Sequence, residues 1–320
     1  MRQLSRQSKH FFLFILTGCM FFFITEIIYA QDQKIKFAVI ADHKKDYVGL
    51  EKALTFINEQ EIDFLIVAGD FFPLRQAYTN YYSLRGFEIS RENPPEMQNV
   101  YFVLGNHDRV PYGEIFFQEH IAPYYPENGP QNAPCGTIFS FNRGNAHFVV
   151  TNQYWNYEEG GYTNEQLNWI EKDLQASQQL FKFVIGHEPA FPIDRHVGNS
   201  LDLNPIMRDK FWKILADNGV QAFFCGHTHH LSVVKSQGVY QIDTGEVASD
   251  HLAITIFEIN GPSAVARLYE TKGSIPNDTI FNSSLGGSNS GDIAYSVVFN
   301  SGIGEENDNS LGCFIRTLAP

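Results

Sequence analysis

The strongest constraint this sequence places on its fold is an alternation. Apolar, β-branched and aromatic runs at residues 35–40, 64–68, 100–104, 146–151, 181–185 and 220–224 are each long enough for a strand and too short for a buried helix. Between them, residues 48–58 carry helical periodicity. Thr163-Asn-Glu-Gln166 has the form of a capping box opening a second helix, with Leu167, Ile170 and Leu174 on one face. Residues 208–218 predict a third. Beyond residue 230 the runs at 232–234, 240–243, 252–258 and 264–269 follow one another with no helical pattern between them. An alternating half followed by an all-β half predicts an α/β fold, a four-layer α/β/β/α sandwich with two packed mixed sheets and flanking helices.

The rest of the chain frames that body. Arg2, Arg6 and Lys9 precede an apolar run from Phe11 to Ile24, and the segment ends at Ile28-Tyr-Ala30. This is the layout of a secretory signal peptide cleaved after Ala30, leaving no stable membrane span and a secreted or periplasmic protein. Two other readings stay open: an uncleaved anchor, since residues 11–30 reach spanning length, and lipidation at Cys19 in Leu16-Thr-Gly-Cys19. The expected domain covers residues 31–270. Residues 271–320, with Gly286-Gly-Ser-Asn-Ser-Gly291 and Glu305-Glu-Asn-Asp-Asn309, read as a flexible extension, with residues 293–299 as a candidate edge strand. Residues 71–98 and 109–137 read as long aromatic connections. Their Phe71, Phe72, Tyr81 and Tyr82 either pack a lid onto the core or shape a pocket for a leaving group.

Charge and cysteine content narrow the function classes. Losing residues 1–30 removes three basic side chains and one acidic one, moving the formal net charge from -13 to -15. So acidic a body offers no patch for non-specific nucleic-acid binding. The cysteines remaining, Cys135, Cys225 and Cys313, are too few for a disulfide scaffold, although a Cys135–Cys313 bridge stays open. Asn277-Asp-Thr and Asn282-Ser-Ser match the glycosylation acceptor pattern.

The chemistry sits where the runs stop. They end in Asp42-His43, Gly69-Asp70, Gly105-Asn-His-Asp108, Gly186-His187 and Gly226-His-Thr-His229. In open α/β sheets, ligands bind beyond the carboxyl ends of the strands, so these five endings converge in space. Asp, Asn and His without thiolate form the ligand set of a hard-to-borderline metal. His227 and His229 lie two apart and share a side of an extended segment, while His230 faces away.

The ordered set Gly69-Asp70, Gly105 to Asp108, Gly186-His187 and Gly226 to His229 resembles the calcineurin-like metallophosphoesterases, over about residues 35–260. The resemblance implies two divalent or mixed-valence ions (Mn, Fe or Zn) and a small-molecule or exposed phosphoester substrate. It implies that Asp70 bridges the ions, that Asn106, His187 and His227 hold one, and that Asp42 and His229 help hold the other. His107 would stabilise the transition state and protonate the leaving oxygen, with Asp108 orienting its ring, and hydroxide held by the metals would attack phosphorus.

One position departs from the pattern. Where the family's first motif, D-x-H, places a histidine, this chain has Asp42-His43-Lys44, and a protonated lysine beside a dication is unfavourable. The tyrosine that purple acid phosphatases use three residues after the Gly-Asp aspartate is replaced by Pro73. The expectation is a first ion held weakly, by fewer ligands, by His43 on a bent loop, or with Tyr78 or Tyr81. Two functions follow: a secreted phosphoesterase acting on mono- or diesters, or a catalytically impaired relative that binds metal and ligand.

Overall fold

The computed structural model describes residues 34–81, 99–109, 113–156, 160–272, 293–300 and 312–313. The leader, Cys19, Tyr82, both glycosylation motifs and most of the C-terminal extension lie outside them. The chain builds two sheets. The first orders its strands β12-β11-β10-β1-β2-β3, from Ile293–Asn300 (β12), Ser263–Lys272 (β11), His251–Asn260 (β10), Lys34–Ile40 (β1), Phe64–Ala68 (β2) and Val100–Val103 (β3). The second runs β13-β8-β9-β7-β6-β5-β4, from Gly312–Cys313, Leu231–Ser236, Val239–Thr244, Ala222–Cys225, Phe181–Ile185, Ala146–Val150 and Phe139–Arg143. β1, β2 and β3 pair in parallel, as do β5, β6, β7 and β9, while β10, β4 and β8 join antiparallel. Both sheets are therefore mixed.

Side-chain alternation along the strands sets the layers. Phe148, Phe183 and Phe224 of the second sheet point at the first and join the core around Phe37, whose ring lies 4.9 Å from Phe64, 5.2 Å from Phe148 and 5.0 Å from Phe257. Their neighbours Val149, Val184 and Phe223 point the other way, into a second core. There they meet Leu167, Ile170 and Leu174 of helix α4 (Asn164–Ala176) and Phe211, Trp212 and Leu215 of α5 (Pro205–Asp217). On the far side, α1 (Tyr47–Glu59) buries Leu50, Ala53, Leu54 and Ile57, and its Phe56 packs 4.9 Å from Tyr269 of β11. The four layers are those the alternation predicts.

The differences from the expectation are local. The two aromatic connections contain helices α2 (Leu74–Tyr81) and α3 (Ile115–His120), too short to show a period in sequence. Phe71 and Tyr81 are core residues, 4.9 and 5.2 Å from Phe102, so at these two positions packing decides. Strand β4 adds to the strands the alternation predicts; Phe139-Ser-Phe-Asn-Arg143 buries only its first half, so it carries no apolar run. Half of the capping box forms: Thr163 accepts from the Gln166 N–H at 3.0 Å. The Gln166 side chain is buried and instead brackets the Asn152 backbone, with bonds of 2.9 Å to its N–H and its carbonyl. Residues 293–300 do form the edge strand, and Cys135 is a free thiol.

Candidate metal centre

The five motif ends meet along the carboxyl edge of β1, β2, β3, β6 and β7. The backbone there is unusual. Asp42, Lys44, Asp70, His227 and His229 all sit at positive φ, between 44° and 71°, a left-handed region that costs non-glycine residues on the order of 1–3 kcal/mol. Such conformations persist only where surrounding bonds over-determine them. Here the Asp42 N–H donates to the Gly69 carbonyl at 3.1 Å, the Lys44 N–H to the Asp70 carbonyl at 2.9 Å, and the His227 N–H to Asp42 Oδ2 at 2.8 Å. The glycines before the motif residues leave space for side chains. A Cβ on Gly69 would strike the His187 ring, one on Gly105 the Asp70 carboxylate, and one on Gly226 the Asp42 carboxylate.

One half of the site gathers Asp70, Asn106, His187 and His227. His187 donates from Nδ1 to the Ala68 carbonyl at 2.8 Å, and its Nε2 faces Asn106 Oδ1 at 3.1 Å and Asp70 Oδ1 at 3.5 Å. His227 donates from Nε2 to the Asn199 carbonyl at 3.3 Å, freeing Nδ1, and its ring centre is 5.1 Å from that of His187. Burial, with His187 and His196 nearby, pushes the His227 pKa down to about 2, so the ring is neutral. Burial raises the Asp70 carboxyl, but His187, the His107 N–H and Lys44 outweigh it and hold the group below the usual range. Ligand atoms of Asp42, Asp70 and His187 all lie within 4.8 Å of one another.

The other half gathers Asp42, Asp70 and His229, and Lys44 sits among them. Its Nζ is 3.2 Å from Asp70 Oδ2, 3.0 Å from His229 Nε2 and 3.9 Å from Asp42 Oδ1. His229 Nδ1 lies 2.5 Å from Glu246 Oε2 and its Nε2 3.3 Å from Asp42 Oδ1; burial would lower the His229 pKa, but the Asp42 and Glu246 carboxylates outweigh it and raise it to about 9. His43 does not replace the missing ligand. It is buried, with Nε2 2.7 Å from the Tyr81 hydroxyl and Nδ1 donating to the Lys44 carbonyl at 3.1 Å. Tyr81 is thereby committed to His43, and Tyr78 packs 4.6 Å from the Phe116 ring.

With this geometry in view, likeness to known proteins is informative. Residues 35–231 match the family model of calcineurin-like phosphoesterases, more than half of the chain. This chain belongs to the calcineurin-like phosphoesterase family. Among curated relatives, tartrate-resistant acid phosphatase type 5 of Rattus norvegicus is 28% identical over 151 residues, 43% of this chain and 45% of the rat protein. The human counterpart is 27% identical over the same length. The chain thus spans about half the length of the curated relatives it matches. Purple acid phosphatase PPD1 from yellow lupin, Lupinus luteus, superposes with a TM-score of 0.55 at 11% identity, over 85% of this chain and 54% of the plant chain. A dimetal phosphatase from Danio rerio gives 0.50 at 15% identity, over 73% and 95%. At these identities the structures speak for the fold alone.

The calcineurin-like phosphoesterases are metal-dependent, and the donor set here can be tested against an ion. Asp70, Asn106, His187 and His227 fit one. Each ring is held by a carbonyl on one nitrogen; burial would lower the His187 pKa, but the Asp70 and Asp42 carboxylates outweigh it and raise it, so an ion bound there would displace a proton. Asp42 Oδ1 is buried and makes no hydrogen bond, with His229 Nε2 at 3.3 Å and Lys44 Nζ at 3.9 Å. Asp42 and His229 differ, because the Lys44 ammonium stands beside them.

His107 and Asp108 part company. The His107 ring is about half exposed at the rim, Nε2 3.7 Å from Asp70 Oδ2, and its N–H donates to Asp70 Oδ1 at 3.0 Å. Asp108 is fully buried, and its carboxylate accepts from the N–H groups of Phe71 (3.3 Å), Phe72 (2.7 Å) and Gly105 (3.0 Å). It ties the loop after β2 to the loop after β3. The expectation that it orients the His107 ring is corrected: both oxygens are committed to backbone.

Other residues of this calcineurin-like site were not read from sequence. Gln153 Oε1 accepts from the N–H groups of His187 (2.6 Å) and Glu188 (2.7 Å), bracing that turn. Glu246 fixes His229, and the His196 ring lies tilted against that of His227, the centres 4.1 Å apart. None lies in a motif, and only the fold brings Gln153 and Glu246 within reach. Glu188 turns aside to the Tyr154 hydroxyl at 2.8 Å. His147 is satisfied structurally by Asn142 and Asp173, each at 2.7 Å.

Proposed function

We propose that this chain is a secreted phosphoesterase that hydrolyses phosphomonoesters or phosphodiesters. The observation that carries the reading is the convergence of Asp70, Asn106, His187 and His227, with the half-exposed His107 beside them on the rim. Those four residues would hold an ion, which supplies Lewis acidity toward a phosphoryl oxygen and lowers the pKa of water. His107, half-exposed with its Nε2 3.7 Å from Asp70 Oδ2, would deliver a proton to the departing leaving oxygen. Asp108 keeps the His107 loop in place through its three backbone bonds. The strained, multiply bonded frame limits reorganisation during turnover.

The assay is a panel of p-nitrophenyl phosphate and its bis ester with Mn, Fe and Zn. Hydrolysis should depend on metal. The His107→Ala variant should lose about a hundredfold to ten-thousandfold in turnover while keeping its metal. Unchanged turnover in that variant would rule out the acid role. Lys44 favours a second reading, a relative that binds metal and phosphoester without turning it over. Ester binding with no hydrolysis under any of the metals would select it. Export rests on residues 1–30. A mature chain beginning at Gln31 fits cleavage, whereas a lipidated Cys19 or an intact leader fits an anchored form.

A further inference from the structure

We infer that this centre carries one metal ion, and that the Lys44 ammonium takes the place and part of the charge of a second. The inference rests on the metal centre of the proposed function and specifies its composition. An ammonium offers three N–H donors. Around Lys44 Nζ stand three atoms able to bind a metal: Asp70 Oδ2 at 3.2 Å, His229 Nε2 at 3.0 Å and Asp42 Oδ1 at 3.9 Å. They come from the three residues that the resemblance assigns to one ion of the pair. A metal needs such atoms at about 2.0–2.2 Å, and Lys44 Nζ already stands 3.0–3.9 Å from all three, so the ammonium competes with an ion for the space among them.

The lysine is built into this position. Its left-handed backbone, at φ 44°, is held by the bond from its N–H to the Asp70 carbonyl. Its neighbour His43 is locked inward by Tyr81 and cannot offer an alternative ligand. The surrounding groups are held in place as well. Glu246 accepts from His229 Nδ1, which turns Nε2 toward Lys44 and Asp42 Oδ1, and Asp42 spends Oδ2 on the His227 N–H. The Lys44 side chain is also about one-third exposed, so the ammonium faces the cleft as well as the carboxylates. A phosphoryl oxygen entering beside Asp70 would meet the ion on one side and Lys44 on the other.

The consequence is a charge-reduced centre. The ion on Asp70, Asn106, His187 and His227 remains, while Asp42 and His229 hold a lysine instead of a metal. Restoring a histidine at position 44 removes the ammonium and supplies the donor that the family's first motif contains.

The test counts ions. The purified, demetallated chain is titrated with Mn2+ or Zn2+ by calorimetry, and the washed protein is analysed by mass spectrometry. The expected result is one equivalent per chain for the wild type and two for Lys44→His. In the Mn-loaded wild type, the paramagnetic resonance spectrum should be that of an isolated ion, with exchange coupling only in Lys44→His. Two equivalents in the wild type, or none, overturns the inference. Should the variant not fold, the wild-type stoichiometry decides alone. Failure here is distinct from failure of the function: one equivalent without ester hydrolysis removes the phosphoesterase reading and leaves this one, and two equivalents with hydrolysis does the reverse.

Discussion

The two halves of the metal centre share a frame and differ in its contents. Both are built from strand ends held at positive φ, and both crowd a carboxylate against a glycine. On the side of β3, β6 and β7, each imidazole is fixed by a backbone carbonyl through one ring nitrogen. On the side of β1, the imidazole is fixed by a carboxylate and its other nitrogen lies 3.0 Å from an ammonium. The difference teaches that backbone strain marks where a site is, while single side chains decide what occupies it. Asp42 and Lys44 keep the family's frame whether or not a metal follows.

The largest expected effect comes from removing one histidine from each half. His227→Ala deletes a neutral ring from the first half. Ion affinity should fall by more than the roughly 10–100-fold that loss of an outer-shell partner costs, with turnover falling alongside. His229→Ala deletes the corresponding ring from the Lys44 half, and the ion count should stay at its wild-type value. Calorimetric titration of both variants checks this. Equal loss of metal from the two would erase the distinction between the halves.

A smaller effect tests what they share. Asp70 faces both, and Gly105 leaves room for its carboxylate. Gly105→Ala would press a methyl group against Asp70 side chain and backbone alike. Overpacking of this kind costs about 1–3 kcal/mol, so thermal unfolding should shift down and both ion binding and turnover should weaken together. A variant that loses stability but binds its ion normally would show that Asp70 can move without consequence.

Much of this architecture was legible in the sequence, for physical reasons that differ by element. The strands showed because a strand buried on both faces must be apolar throughout, as in Phe64–Ala68. The motif residues showed because glycine and a polar ligand at a strand end form a local signal. Helices α2 and α3 did not show, being too short for a period, and their aromatic residues serve a core that only tertiary packing defines. Asp108 misled because adjacency to His107 suggested a partner, whereas its hydrogen bonds run to Phe71 and Phe72, residues distant in sequence. Gln153 and Glu246 act through contacts with residues tens of positions away or closer only through a turn, and carry no pattern. Lys44 was visible as a break in the motif. What the break means became visible only with the positions of Asp42, Asp70 and His229 around its ammonium.

The smallest effect lies behind the Lys44 half and sharpens what supports it. His251 bridges Glu246 and Glu270, with Nδ1 3.2 Å from Glu246 Oε1 and Nε2 3.0 Å from Glu270 Oε1. Burial alone would lower its pKa, but bonds to the two carboxylates outweigh that and raise it from 6.5 to about 9. A raised folded-state pKa contributes stability that is fully present below 6.5 and is lost as pH rises through about 9. His251→Gln should therefore lower the melting temperature most at mildly acidic pH, by the equivalent of about 1 kcal/mol or less for a partly screened pair. Above about pH 9 the charge-dependent part of that deficit should vanish. Melting curves of wild type and variant across this range measure it directly. A deficit that does not change with pH would mean that His251 packs between the two glutamates as a neutral ring, and that Glu246 holds His229 without help from its charge.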